Sequence, residues 1–454
     1  MIGLNKIGLN QVQLNRLHLN APFPAYGKMA GGGGSGDGFP QLPGDVTRWH
    51  FGGLTNEMMA AMDDPRIEDA DGKGRFLSFK NFAWKEGSGI SDVYPGALVF
   101  DGVDDWAGCD NLPLLPKEKG YSIIALRNWI TRYDATQYKR PLISNLDTSD
   151  EGAFLIEYRK DENVNDVTGS YNSFTDVYID DNNPITWQTS SSYNGQIIKK
   201  GTSKSTNKLC ICKTYFGQLS NYANAAIWEI VILDHDATEE ELTKIKDYFV
   251  KTYPWLFPDQ AWTVVGKTNE NEDRATIANI TGNGNDLVLS NFGFAEGSGY
   301  NEEGEYAGYL VTDGVDDKIT SSTFEMGNDW TVIGDWELIN TGKNDNAGIV
   351  KFDSIVIYNY NSMLINIKNG RNNLIPDQNT VNAICSDGRI YSKDWKESIY
   401  NEETESTSKN LLTIGYSGNS YTKIAFKNLA IYPTVLSKED CIKAYNYLQT
   451  LKAK

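Results

Sequence analysis

The sequence has no apolar run long enough to cross a bilayer, and it is poor in positive charge. No stretch of about 18 apolar residues occurs in its 454 residues, so we expect neither a transmembrane segment nor a membrane partner. Lys and Arg number 42 against 60 Asp and Glu, which gives a formal net charge of −18. Because an acidic surface repels phosphate backbones, nucleic acid is not an expected partner either.

Cysteine and histidine are also scarce, and the N-terminus shows no secretion signal. The N-terminus lacks a continuous apolar stretch, so we expect synthesis in a cytoplasm without export by the usual route. Five cysteines with no Cys-x-x-Cys pair predict free thiols in a reducing compartment. The Cys210–Cys212 motif has no accompanying His or second pair, which favours buried strand cysteines. The histidines are too scattered for a catalytic triad or a zinc site: His18, His50 and His235.

What the sequence does contain is an internal repeat. Leu77–Gly89 matches Leu287–Gly299, and both segments end in Glu-Gly-Ser-Gly. Further on, Leu98–Asp105 matches Leu310–Asp317, and both end in Asp-Gly-Val-Asp-Asp. Such matches in the same order indicate a duplicated module.

Each copy reads as many short strands followed by one helix. Apolar, β-branched and aromatic runs alternate with Gly, Asn, Asp and Ser clusters, which is typical of a β-sandwich or jelly roll. Thr238 and Ser437 each precede an acid by three residues, which predicts helices near 239–252 and 438–451. The predicted fold is therefore all-β, with two tandem jelly-roll β-sandwich domains, each ending in a short helix. We place the domains at 46–257 and 258–454.

Three motifs carry a family resemblance. They are Gly-Asn-Gly-Asn-Asp-Leu at 282–287, Phe-Asp-Gly-Val-Asp-Asp at 100–105, and Leu-Ser-Lys-Glu-Asp before the last helix. In this order they resemble the concanavalin A-like, laminin-G-like jelly roll, twice over, across residues 46–454. The resemblance implies a two-sheet sandwich. It implies no single function, because this family includes lectins, adhesion modules, glycan-binding appendages and some glycoside hydrolases.

The two Asp-Gly-Val-Asp-Asp motifs allow two interpretations. Their carboxylates place hard oxygen ligands close together, as calcium requires. Equally, Asp-Gly opens a tight turn whose following acids cap backbone amides, and this structural interpretation is the favoured one. Ca²⁺ is thus the one cofactor for which the sequence offers candidate ligands. These candidates are Asp101, Asp104, Asp105, Asp313, Asp316 and Asp317.

Evidence for an enzyme is incomplete. Glycoside hydrolysis uses two carboxylates flanking the scissile bond, which the hydrolases of this fold typically place at alternate positions of one strand. The strand with Glu229 has Val231 where the second acid should lie. Asp335 and Glu337 are two apart, but the first copy has no acidic counterparts, so solvated strand acids are the simpler interpretation. We therefore expect no catalytic activity, and a polysaccharide-degrading glycoside hydrolase is the less favoured alternative.

Residues 1–20 form an arm of four five-residue units, each with aliphatic residues at its first and third places and Asn at its fourth. Period five fits neither a helix face nor a continuous strand, so the arm is expected to be extended. It is too short to bury its aliphatic side chains alone, so we expect it to dock on a partner or on other copies of the chain. A disordered tail is the alternative, which the regular aliphatic content disfavours. The expected docking residues are Ile2, Leu4, Ile7, Leu9, Val12, Leu14, Leu17 and Leu19.

A Pro/Gly-rich linker, residues 21–45, separates the arm from the modules. A docking segment, a tether and outward β modules resemble, in architecture, the fibre or decoration proteins of bacteriophage virions. This resemblance implies location in the virion, other virion proteins as partners of the arm, and a homo-oligomer.

The function we expect is a virion-attached appendage whose modules bind glycans of the bacterial host surface. A purely structural capsid or tail decoration protein without a ligand is the alternative. Aromatic rings beside polar groups can stack on sugars, whereas rings at matching repeat positions, such as Trp84 and Phe294, indicate core. Trp106 is preferred, because the second copy has Lys318 at its position. The glycan-binding candidates are Trp106, Trp187, Tyr193, Tyr300, Tyr306 and Tyr421.

Overall fold

The computed structural model describes most of the chain after the N-terminal arm. The described residues are 38–115, 120–131, 139–147, 154–159, 184–189, 206–217, 221–339, 347–352, 355–359, 363–367, 371–374, 381–399, 410–417 and 420–453. The docking residues predicted in the arm lie outside them. The chain divides into two compact units, Met1–Asp92 with Gly96–Phe249, and Val93–Pro95 with Val250–Lys454.

The first unit is a sandwich of two antiparallel sheets. Its strands are β1 (Val46–His50), β2 (Arg66–Glu68), β3 (Phe76–Lys80), β4 (Gly89–Ile90), β5 (Leu98–Asp101), β6 (Trp106–Cys109), β7 (Ser122–Thr131), β8 (Lys139–Ser144), β9 (Leu155–Arg159), β10 (Ile185–Thr189), β11 (Leu209–Ile211) and β12 (Asn224–Leu233). One sheet has the order β10-β7-β12-β5-β4, with β1 on the far end of β12. The other has the order β2-β3-β6-β11-β8-β9.

The described part of this unit also contains the helices α1 (Asn56–Ala60) and α2 (Glu239–Thr252). Helix α2 covers the outer side of the first sheet through Tyr248, which bonds to side chains of β1 and β12. We call this sheet the helix-side sheet and the other one the far sheet. In the far sheet the side chains alternate, so that Ala107 and Cys109 enter the core. Trp106 and Gly108 therefore lie on its outer face.

The second unit repeats this plan. Its strands are β13 (Gln260–Thr263), β14 (Thr276–Ile277), β15 (Leu287–Ser290), β16 (Gly299–Tyr300), β17 (Leu310–Val311), β18 (Lys318–Phe324), β19 (Thr331–Leu338), β20 (Ala347–Phe352), β21 (Ile355–Asn359), β22 (Met363–Ile367), β23 (Arg371–Leu374), β24 (Val381–Cys385), β25 (Arg389–Ser392), β26 (Glu397–Ile399), β27 (Asn410–Ile414), β28 (Tyr416–Ser417), β29 (Ser420–Tyr421) and β30 (Ile424–Tyr432). A short 3-10 helix (Pro254–Leu256) precedes them, and helix α3 (Lys438–Leu448) follows.

Each described strand of the first unit has a counterpart at the same place in the second unit, whose two sheets contain four additional strands. The helix-side sheet of the second unit is β16-β17-β30-β19-β24-β25-β26, with β13 on β30, and its far sheet is β14-β15-β18-β27-β20-β21-β22-β23. Removing β22, β23, β25 and β26 gives the order of the first unit in both sheets. The predicted all-β fold of two tandem sandwiches is confirmed. Each unit is held together by a hydrophobic core between its two sheets.

The last glycine of the Glu-Gly-Ser-Gly motif recurs because a neighbouring Asn side chain lies close to its backbone. Asn56 accepts from the backbone N–H of Ile90 at 2.7 Å and donates to its carbonyl at 2.8 Å, as a neighbouring strand would. A Cβ on Gly89 would lie 2.3 Å from the amide oxygen of Asn56. Asn269 makes the same two bonds to Tyr300, beside Gly299. Each copy therefore needs glycine at this position.

Both predicted helices are present, and both begin at the predicted caps. Glu241 N–H donates to the Thr238 hydroxyl, and Thr238 N–H donates to the Glu241 carboxylate at 2.8 Å, a reciprocal capping box. In α3, Asp440 N–H donates to the Ser437 hydroxyl at 3.1 Å. Helix α3 ends at Leu448, earlier than the predicted 451. Within the described ranges, no helix is long and apolar enough to span a membrane.

The end of the predicted linker packs on the first unit. Phe39 is buried, its ring 5.0 Å from that of Tyr248 in an edge-to-face contact. The guanidinium of Arg48 lies 4.4 Å from the Phe39 ring centroid. Phe39 therefore packs against Tyr248 of helix α2 and against a buried cation of β1.

Candidate functional site

The two Asp-Gly-Val-Asp-Asp segments form identical tight turns. Oδ1 of Asp101 accepts from the backbone N–H of Val103 at 2.8 Å and from those of Asp104 and Asp105 at 3.3 Å. Oδ2 of Asp105 accepts from the N–H of Asp101 at 3.1 Å. The first unit therefore shows the amide-capping bonds that the structural interpretation predicts.

In the second unit, Asp313 and Asp317 repeat these bonds. Oδ1 of Asp313 accepts from three backbone N–H groups, the shortest at 2.7 Å, and Oδ2 of Asp317 accepts from the N–H of Asp313 at 2.8 Å. Gly314 has a φ of 76°, and a Cβ there would lie 3.0 Å from the backbone N of Lys423. The motif is thus preserved in both copies because this turn requires it.

The same carboxylates could still supply oxygen ligands. In each unit one oxygen from each of the three acids lies within 4.8 Å of the others. Burial raises the pKa of Asp105 to about 6, and it also raises the pKa of Asp317. Oδ1 of each of these two residues is buried without a hydrogen-bond partner in the described part of the chain. The six predicted ligands therefore form two clusters, and in each cluster two carboxylate oxygens already accept hydrogen bonds from backbone amides.

The acids considered for hydrolysis face the helices. Glu229 is fully buried and pairs with Arg48 at 2.9 Å. Asp335 accepts from the Tyr309 hydroxyl at 3.0 Å and is 7% exposed, so the expectation of a solvated strand acid is wrong for this residue. Glu337 pairs with Lys393. Each carboxylate is thus engaged by a cation or a hydroxyl on the helix side of its sandwich.

Trp106 lies on the outer face of the far sheet, where its ring is partly exposed. Phe216 packs against it at a centroid distance of 5.6 Å and an interplanar angle of 88°. Gly108 forms the floor below both rings, since a Cβ there would lie 2.6 Å from Trp106 and 2.9 Å from Phe216. We call Trp106, Gly108, Lys208, Lys213 and Phe216 the ring site.

Two lysines border the rings. The ammonium of Lys213 lies 4.0 Å from the Trp106 ring centroid, and that of Lys208 lies 4.8 Å from the Phe216 centroid. Lys213 as a whole residue is 6% exposed, and this burial lowers the pKa of its ammonium. The chain reaches this position through Cys212, which has a φ of 56° and turns the backbone out of β11. The site therefore combines aromatic surface with positive charge.

The second unit has a related group at the same place. Lys318 begins β18, as Trp106 begins β6, and its ammonium lies 5.8 Å from the Tyr416 ring centroid. Tyr416 pairs with Tyr421 across β28 and β29, and their ring centroids are 5.0 Å apart. Tyr421, a predicted glycan contact, therefore lies at the position equivalent to the ring site.

The other predicted glycan contacts do not join these groups. Tyr300 is 3% exposed inside the second core, so its ring faces are not available to a sugar, and the expectation for it is corrected. Its hydroxyl donates to the carbonyl of Arg274 at 2.7 Å. Tyr306 is half-buried beside Tyr309 on the helix side. The backbone of Trp187 lies in β10, but its side chain and all of Tyr193 fall outside the described residues.

Sequence reasoning missed Lys208, Lys213 and Phe216. They lie about a hundred residues after Trp106 and reach it only through the pairing of β6 with β11. A usable signal was present for Tyr300, since the repeat aligns it with the apolar residue Ile90. Trp84 and Phe294, predicted as core, pack against the two cores, both with φ near 50°.

Comparison with families and curated proteins and comparison with solved structures give different results. No protein-family model and no curated protein matches the chain. Among solved structures, it is similar to a Trypanosoma rangeli sialidase in complex with sialic acid, at 8% identity and a TM-score of 0.30, over 50% of this chain and 41% of that one. It is also similar to the binding domain of Paraclostridial Mosquitocidal Protein 1, at 12% identity and a TM-score of 0.27, over 41% and 51%.

A third similar structure is domain 4 of AbnA, an extracellular arabinanase from Geobacillus stearothermophilus, in complex with arabinotriose. It shows 11% identity and a TM-score of 0.26, over 41% of this chain and all of that one. The chain thus spans about half or less of the first two structures. At these identities and TM-scores, the likenesses assign no role to any residue of this chain.

Proposed function

We propose that this chain is a glycan-binding protein and that the ring site on the far sheet of its first unit is a saccharide-binding surface. The observation that carries the proposal is the pair of perpendicular rings, Trp106 and Phe216, held over Gly108 with both rings partly exposed. An aromatic ring presents an apolar face to the C–H groups of a sugar, while nearby polar groups bond its hydroxyls.

The second unit supplies a weaker version of this surface. Tyr416 and Tyr421 provide two partly exposed rings, and Lys318 provides a cation beside them. Two modules in one chain raise the affinity for a repeating polymer, because the second contact forms at a high effective concentration. Binding to a polysaccharide surface rather than to a single sugar follows from this arrangement.

The biological setting is part of the proposal. We place the chain in a bacteriophage virion, attached to other virion proteins through residues 1–20, as a homo-oligomer whose modules meet glycans of a bacterial surface. This rests on the five-residue repeat of the arm and on the linker composition. We also propose that the units bind without catalysis, because Glu229, Asp335 and Glu337 are each engaged in contacts on the helix side.

The test is binding of the full chain to a glycan array and to whole bacterial cells. We expect saturable binding that falls about tenfold or more in Trp106→Ala. Gly108→Ala keeps both rings but pushes them apart, and it should weaken binding as well. Trp395→Ala is the matched control, since it removes a half-buried tryptophan beside Tyr445 on the helix side of the second unit and should bind as the wild type does.

Thermal unfolding of each variant checks that the sandwiches remain folded. Binding that survives both Trp106→Ala and Gly108→Ala would remove the ring site from the proposal. No binding to any glycan or cell, with all variants folded, would favour a structural decoration protein instead.

A further inference from the structure

Lys213 is a buried cation without an anionic partner. Its residue is 6% exposed, yet no carboxylate of the described residues lies within 4.0 Å of its ammonium, and no described oxygen accepts a hydrogen bond from it. Among the described residues, its ammonium contacts the face of the Trp106 ring, at 4.0 Å from the centroid. The stem of the side chain is therefore buried while the ammonium itself reaches the surface, where a ligand can contact it.

Two other buried cations of the described residues are paired. Arg48 is fully buried and bonds to Glu229 at 2.9 Å. Lys267, at 9% exposure, pairs with Asp273. Burying a charge is costly unless it is paired, so an unpaired, largely buried lysine in a chain with 60 acidic residues requires a separate explanation.

Burial lowers the pKa of Lys213, because its ammonium loses hydration there. The nearby thiol of Cys210 supplies no negative charge, since burial raises its pKa to about 12. An anion arriving from solvent would restore the missing charge partner.

A second cation borders the same rings. The ammonium of Lys208 lies 4.8 Å from the Phe216 ring centroid, and it too has no carboxylate partner in the described ranges. Two ammonium groups thus flank one aromatic pair on a chain with a net charge of −18. Positive charge concentrated in this way attracts an anion over a distance of about 10 Å at moderate salt.

We propose that the ring site binds a negatively charged saccharide, with the sugar ring on Trp106 and its anionic group, a carboxylate or a sulfate, against Lys213. This inference rests on the proposed glycan-binding function and adds its ligand class. Lys208 supplies a second, more exposed contact for the same group or for the next residue of a polymer. In the second unit, Lys318 and Tyr416 offer one cation only, so the acidic preference resides mainly in the first unit.

The experiment is a glycan array of matched pairs, presented to the full chain. Each pair contains an acidic saccharide and its neutral counterpart, with galacturonate against galactose and glucuronate against glucose as carboxylate pairs. Sulfated galactose against galactose forms the sulfate pair. Wild type, Lys213→Met and the control Lys246→Met are compared. Lys246 is an exposed lysine of α2, so its replacement changes the net charge equally without touching the ring site.

We expect the wild type to prefer the acidic member of at least one pair by about tenfold or more, as one charge-assisted hydrogen bond provides. Lys213→Met should abolish this preference and leave neutral binding intact, because methionine keeps an apolar contact with Trp106. Lys246→Met should retain it. The pair that responds identifies carboxylate or sulfate.

The outcomes separate this inference from the proposed function. Equal binding of acidic and neutral members, or a preference that survives Lys213→Met, overturns the acidic ligand and leaves glycan binding standing. Absence of binding to every saccharide overturns both.

Discussion

Trp106 and Lys213 form a cation–π contact in the first unit, and the second unit contains the same contact with the two residue types exchanged. Lys318 takes the strand position of Trp106, and Tyr416 takes that of Lys213. The ammonium-to-centroid distances are 4.0 Å and 5.8 Å. The duplication has therefore kept an aromatic–cation pair at this place on the outer face while exchanging which strand supplies each member.

The exchange can be tested directly in the first unit. Trp106→Lys alone places two ammonium groups together and removes the ring, so it should be destabilising. Lys213→Tyr alone leaves two rings without the cation. The double variant recreates the arrangement of the second unit, and we expect it to recover about 1 kcal/mol relative to the sum of the single changes. Denaturant unfolding measures this coupling, and additive effects would show that the contact contributes nothing to stability.

The Asp-Gly-Val-Asp-Asp turns make a second prediction. Asp101→Ala removes the acceptor of three backbone N–H groups and should cost about 0.5–2 kcal/mol, as loss of a helix cap does. Asp101→Asn keeps an oxygen in the same place and should cost less. Both values should be the same in calcium and in chelator. A melting temperature that rises with calcium in the wild type, but not in Asp101→Asn, would instead show a metal site.

The fold was predictable because the repeated residues have backbone roles. Gly89 and Gly299 recur because Asn56 and Asn269 leave no room for a Cβ. Thr238 recurs as Ser437 because both satisfy free N–H groups at a helix start. Residues with such local requirements are visible in one sequence without any knowledge of the distant contacts.

The candidate site was predictable only in part, because its contacts are not local. Trp106 could be selected, since the second copy departs from it. Its partners Lys213 and Phe216 come from a loop that follows β11 and reach Trp106 only after β11 pairs with β6. Tyr300 was misplaced because aromatic residues next to glycine serve core and surface equally well.

The buried pair of Arg48 and Glu229 gives a third prediction. Both side chains are fully buried, so Arg48→Ala leaves an unpaired carboxylate and should cost about 3–5 kcal/mol. The second unit has Ala261 and Asn428 at these positions. The double variant Arg48→Ala with Glu229→Asn should therefore cost less than Glu229→Asn and Arg48→Ala added together.

Denaturant unfolding of the single and double variants provides the measurement for this pair. The matched control is Lys244→Met, which breaks an exposed pair with Glu240 and should change stability by no more than about 0.5 kcal/mol. If the double variant costs as much as the sum of the singles, the two charges do not interact in the native unit.

The last prediction concerns His235 beside the cap of α2. Burial alone would lower its pKa, but hydrogen bonds to Asp234 at 3.2 Å and Glu241 at 3.1 Å outweigh this and raise it. A raised pKa in the folded state means that protonation favours folding. The stabilisation is fully present below the unfolded pKa of about 6.5 and is lost as pH rises through the folded pKa.

Glu241 acts with the opposite sign. Burial would raise its pKa, but hydrogen bonds from Thr238 and His235 lower it, so its contribution is present above the unfolded pKa of about 4.3 and is lost in acid. The His235–Glu241 interaction is therefore strongest between about pH 4.3 and 6.5. It weakens above this range as His235 loses its proton, and below it as Glu241 gains one. His235→Gln should lower the melting temperature of the first unit near pH 6, by a difference that shrinks toward pH 9. Glu241→Gln, which keeps an oxygen for the cap, should reduce the same pH dependence without removing it, because Asp234 still faces His235. Parallel stability curves for the wild type and His235→Gln between pH 6 and 9 would show that the imidazolium has no net favourable interaction with these two carboxylates.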